Sequence, residues 1–126
     1  MKKREDETLT LDMVRKALSR VRQACLDNRV DCGDWAEMLY GSIAAKHNER
    51  LREILLIAFD YTGSDIRDGI KRIDRILDMC DSPDQVFMGR MVKDPEGGRA
   101  GIVACHFRAL AEIRRAADPY YNGLSD

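Results

Sequence analysis

The residues best equipped for chemistry are four cysteines, Cys25, Cys32, Cys80 and Cys105, and two histidines, His47 and His106. Together they could in principle ligate zinc. Zinc sites are nucleated by close Cys-x-x-Cys pairs, however, whereas Cys25 and Cys32 stand seven apart and Cys80 and Cys105 stand alone. Cys25, Cys80 and Cys105 fall on or beside apolar stripes, where a thiol acts as a small hydrophobe. The expectation is buried thiols, with no metal and no cofactor. Cys105 and His106 are neighbours, so on a helix their side chains diverge by about 100°. A Cys–His dyad would need a partner from another helix. No Gly-x-Ser-x-Gly elbow, phosphate loop or dinucleotide fingerprint is present. Gly97-Gly98-Arg99-Ala100-Gly101 lacks the Lys-Ser/Thr that would hold phosphate and Mg²⁺.

Carboxylates offer the best hint of catalysis. Glu49 and Glu53 share a helix face, as do Asp74 and Asp78, and facing pairs of this kind could chelate Mg²⁺ in an all-α nucleotide hydrolase. Their spacing of four, interleaved with Arg and Lys, favours solvated ion pairs instead. A nucleic-acid reading rests on 73–92, where Ile76, Cys80, Val86 and Gly89 loosely fit a helix-turn-helix and Gln85 and Arg90 could reach base edges. Asp81 and Asp84 at the start of that recognition helix would repel phosphate. Arg108, Arg114 and Arg115 form a second basic candidate.

These residues must be positioned by helices. The densest apolar stretch is 48–81. Leu51, Ile54, Leu55, Ala58 and Phe59 recur at three- and four-residue steps, which is one helix face, and Leu56 and Ile57 widen it. Asn48 is expected to cap that helix, Gly63 to stop it and Ser64 to cap the next. Ile66, Ile70, Ile73, Leu77 and Cys80 make the stripe of the second helix, with a charged face turned to solvent. This hairpin is expected at the centre of the bundle. Before it, Thr8 or Thr10 caps a helix with Leu11, Val14, Leu18, Val21 and Cys25 inward, or serving as a dimer seam. Asp34 caps another, carrying Trp35, Met38, Leu39 and Ile43, with a break expected near His47-Asn48. After it, Ser82-Pro83-Asp84-Gln85 opens a short apolar helix. The last helix, 99–117, turns Ile102 or Val103, His106 or Phe107, Leu110, Ile113 and Ala117 inward.

The whole reads as one all-α domain over 1–126, a compact bundle of five or six helices, with 1–7 and 119–126 as flexible ends. Net charge is −1, so overall electrostatics select neither nucleic acid nor membrane. The chain shows no apolar leader and no run long enough for a membrane span, and a reducing cytoplasm is expected. The function expected is non-enzymatic: a small regulatory protein binding a macromolecular partner, a protein, through a helical face. Bacterial accessory regulators and phage-encoded inhibitors are often built this way. Phe87, Met88, Met91, Tyr120 and Tyr121 are the expected contact residues, and a homodimer is open. The alternatives are nucleic-acid binding through Gln85, Arg90, Arg108, Arg114 and Arg115, and Mg²⁺-dependent nucleotide hydrolysis.

Overall fold

The computed structural model describes residues 9–30, 41–59, 61, 63, 65–82 and 98–120. Four helices occupy them: α1 (Leu11–Asp27), α2 (Gly41–Phe59), α3 (Ile66–Asp81) and α4 (Gly98–Ala116). No strand occurs among the described residues, and the all-α class holds. Of the five or six helices expected, four are found there. The short helix expected after Ser82 lies outside the described residues, as do Trp35, Met38 and Leu39.

Local chemistry explains the helix ends. Thr10 caps α1, its Oγ1 accepting from Met13 N at 3.2 Å. Gly63, at φ +84°, turns the chain between α2 and α3 in the left-handed region that a Cβ disfavours. Asp65, not Ser64, caps α3, its Oδ1 accepting from Arg67 N at 2.9 Å. The Tyr61 hydroxyl donates to the Asp65 carbonyl at 3.0 Å and fixes that entry.

The expected break at His47-Asn48 is not there: α2 runs unbroken from Gly41 to Phe59. Asn48 does not cap. Its amide instead pairs with the backbone of Val30, Oδ1 accepting from Val30 N at 3.0 Å and Nδ2 donating to Val30 O at 2.7 Å. The side chain does for the chain after α1 what a neighbouring strand would do.

The core places α1, not the 48–81 hairpin, at the centre. α1 packs on all three other helices, and more extensively on each than any of those three packs on another. Val14, Ala17, Leu18, Val21 and Cys25 are buried within the chain, so its own helices cover the stripe of α1. They meet Leu51, Ile54 and Ala58 of α2, Ile73, Ile76 and Cys80 of α3, and Leu110, Ile113 and Ala117 of α4. The buried face of α3 is rotated from the expected one. Gly69, Ile73, Ile76 and Cys80 are buried, while Ile66, Ile70 and Leu77 sit half-buried at its flanks. Gly69 sets this rotation, because α3 approaches so closely there that a Cβ would overlap Val14 Cγ1 and stand 3.0 Å from the Tyr61 ring.

Arginines complete the frame by capping helices from outside. The last carbonyls of a helix lack partners within it. Arg72 of α3 donates to Ile57 O at 2.6 Å and Arg22 of α1 to Ala58 O at 3.4 Å, closing α2 from both sides. Arg50 of α2 reaches Met79 O and Ser82 O at the end of α3, both at 3.4 Å. Arg20 of α1 donates to Ala116 O at 3.2 Å and Asp118 O at 2.9 Å at the end of α4. These pairings show that α2 and α3 run antiparallel, as expected of the hairpin. They also correct the expectation that the charged face of α3 is only solvated, since Arg72 is half-buried and structural.

Candidate functional site

The most unusual surface lies on the outward side of α2. Ile54-Leu55-Leu56-Ile57-Ala58-Phe59 holds more apolar residues than one stripe can bury. Ile54 and Ala58 are buried in the core, Leu55 and Ile57 are half-buried, and Leu56 and Phe59 are left 46% and 65% exposed. Phe59 therefore points out, against the expectation that it joins the inner face. The cause is helix phase: His47, Leu51, Ile54 and Ala58 define the buried face of α2, and Phe59 stands about 100° around the helix from Ala58. Leu56 and Phe59 are three apart and so adjacent on one helix face.

One groove opens beside Leu56 and a second lies on the other side of α2, nearer its start. Between α2 and α3 the first holds about 540 Å³, with Leu56, Ile57 and Met79 as apolar wall and Lys71, Arg72 and Arg75 as cations. Between α1 and α2 the second holds about 560 Å³, with Leu51 and Leu55 as wall and Arg29 and Arg52 as cations. Several of these charges are engaged. Asp68 binds Arg72 Nε at 2.8 Å, and Glu53 lies 3.8 Å from Arg50 Nε. Lys71, Arg75, Arg29 and Arg52 have no ion pair among the described residues.

A second feature is internal. His47 on α2 and His106 on α4 are both fully buried, with their Nδ1 atoms 3.0 Å apart. His47 Nε2 lies 2.8 Å from the Asn28 carbonyl, which can only accept, so this nitrogen carries a proton. Burial holds the pKa of His47 below its usual value, opposed by the bond to Asn28, and the neutral ring follows. His47 Nδ1 is then the acceptor, and His106 Nδ1–H donates to it. Asn28 also bonds Ala24 O at 2.8 Å and the Glu112 carboxylate, so the end of α1, the middle of α2 and the length of α4 meet at this point. Closed to solvent, the two rings tie α2 to α4.

Of the four cysteines, Cys25, Cys80 and Cys105 are free thiols, and Cys32 lies outside the described residues. Cys25 and Cys80 are buried, and burial, before any nearby charge, pushes each thiol up to about 12. Cys105 is half-buried, with Arg108 Nη2 3.2 Å from its sulfur. Among the described residues no three His, Cys, Asp or Glu side chains gather in a way that could hold a metal ion. None of their helices is long and apolar enough to cross a membrane.

Of the residues expected to bind a partner, Phe87, Met88, Met91 and Tyr121 lie outside the described residues, as do Gln85 and Arg90. Tyr120 is half-buried, its backbone N–H donating to Asp118 Oδ1 at 2.9 Å beside the Arg20 contact. Arg114 is committed to Asp81 of α3 at 2.6 and 3.3 Å, a pairing that holds the Asp81 carboxyl below its usual range. Arg108 and Arg115 are exposed on α4. The structure therefore does not gather Arg108, Arg114 and Arg115 into one free basic stripe. Three- and four-residue spacing alone places Phe59 inward and hides the α2 ridge; the signal for it is the unbroken six-residue apolar run.

Comparison with protein families, with curated proteins and with solved structures finds no match to this chain.

Proposed function

We propose that this is a non-enzymatic interaction protein that binds a protein partner through the outward face of α2. The observation that carries this reading is the Leu56–Phe59 ridge, exposed between two grooves. Large apolar residues scattered singly on a surface need no explanation; an adjacent pair with half-buried apolar flanks supports the reading of a contact surface. Leu56 and Phe59 leave on the order of 200 Å² of apolar area in water; covering it is worth about 5 kcal/mol before the entropy of association is met. A role as a cytoplasmic regulator or inhibitor fits such a surface and the free thiols. Nucleic-acid binding has less support, because Arg114 is already engaged with Asp81.

The test is a photo-cross-linking phenylalanine analogue placed at position 59 and, as control, at position 16 on the solvent side of α1. We expect one defined protein adduct in the cells that make the protein, formed from position 59 and absent from position 16. Adducts of the same pattern from both positions, or none from position 59, would remove α2 as the contact face.

A further inference from the structure

We infer that the α2 face receives an acidic amphipathic helix, a partner segment whose apolar stripe is bordered by Asp and Glu. This rests on the reading of α2 as the contact surface and adds the chemistry of what binds there. Leu56 lines the groove against α3, and Leu55, beside the ridge on α2, lines the groove against α1, a relief into which the apolar stripe of a second helix fits. The rims supply the sign of the charge. Arg29 stands on one side, Lys71 and Arg75 on the other, and Arg52 lies on the ridge's own stripe one turn before Leu56; none has an ion pair among the described residues. The acids within the grooves are largely spent: Asp68 is held by Arg72 and Glu53 lies beside Arg50, leaving Glu49. In a chain of net charge −1, this one face is therefore positive.

A basic partner would meet like charges on both rims, and an uncharged one would cover cations without pairing them. Carboxylates flanking an apolar stripe satisfy both rims while Leu56 and Phe59 are buried. A phosphate backbone would use the rims and leave the ridge in water.

The experiment titrates the full chain into labelled helical peptides that share one apolar stripe, flanked by Glu, Gln or Lys. Fluorescence anisotropy is read at low and high salt. The expected result is that the Glu peptide binds about tenfold or more tighter than the Gln peptide, weakens as salt rises, and exceeds the Lys peptide further. Lys71→Glu with Arg75→Glu should remove that tenfold preference, and Leu56→Asp with Phe59→Asp should abolish binding. Both double variants change exposed side chains, so unchanged circular dichroism and melting serve as the folding control.

Equal binding of all three peptides, lost only in the Leu56/Phe59 variant, would overturn the acidic partner and leave α2 as the contact face. Failure of every peptide, with no adduct from position 59, would overturn both. Sedimentation with phosphatidylcholine vesicles containing phosphatidylserine, in the absence of peptide binding, would replace the helix with an anionic lipid surface. Self-association abolished by Phe59→Asp, again without peptide binding, would make a second copy the occupant.

Discussion

A histidine held neutral by burial makes a protein's stability depend on protons, and His47 is one. His47 is held neutral by burial, so its folded pKa lies below the unfolded value of 6.5. Well above pH 6.5 neither state binds a proton at His47, and its burial gives stability no pH dependence. As pH falls below 6.5 the unfolded chain takes up a proton that the folded chain refuses. Stability should then drop, by up to about 1.4 kcal/mol per pH unit, until folded His47 is itself protonated. Urea unfolding at pH 7.5 and pH 5.5 measures this. His47→Gln, which can keep the bond to the Asn28 carbonyl but cannot titrate, should be less stable at pH 7.5 and flatter below it. An equally steep slope in that variant would acquit His47. Neither the His47–His106 pair nor its phase was legible in the sequence. A break assumed at 47–48 detached His47 from Ala44, Leu51 and Ile54, the buried residues it aligns with on α2. Gly69 makes a second prediction at this scale. Alanine there gains up to about 1 kcal/mol of helix propensity but meets Val14, a stiff β-branched side chain, and overpacking of that kind costs about 1–3 kcal/mol. Gly69→Ala should therefore destabilise, and Val14→Ala in the same chain should recover part of the loss. Additive losses in the double variant would show that the two do not touch.

The elements were more legible than their ends. Three- and four-residue spacing located α1, α3 and α4, and Thr10 and Gly63 serve as their types suggest. What spacing could not show is which arginine is a surface charge and which closes another helix. Lys71 and Arg72 are neighbours on α3, alike in composition terms, yet only Arg72 reaches the Ile57 carbonyl. A charge-assisted bond of this kind is worth about 1.5–3 kcal/mol, whereas an exposed cation is worth within about 0.5 kcal/mol. Arg72→Met should thus lower unfolding free energy by the larger amount and Lys71→Met by the smaller, both read from denaturant midpoints. Comparable losses would mean that α2 does not depend on its cap. The inward face of α3 was off by about one position for a related reason. Ile, Leu and Cys mark a stripe in the sequence, whereas the closest approach to α1 is made by a glycine.

At the scale of the molecule, the all-α architecture followed from periodicity, while the central place of α1 did not, because contacts between distant segments leave no local trace. The thiols report on that core. Cys25 and Cys80 sit in it with thiols pushed to about 12, so at neutral pH they hold almost no thiolate. Ellman's reagent should modify half-buried Cys105 in the native protein and reach Cys25 and Cys80 only as fast as the chain unfolds. Labelling of either core thiol at the rate of Cys105 would contradict this packing. The arginine caps have a consequence for how the chain comes apart. Each of these guanidinium groups belongs to a different helix from the one it closes, so no helix among α2, α3 and α4 carries its own ending. Cut free as peptides, they should fray from their C-terminal turns, and loosening one helix in the whole protein withdraws a cap from another. Unfolding is then a shared event, and amide hydrogens in the last turns of α2, α3 and α4 should exchange with a common free energy rather than in order of their distance from solvent.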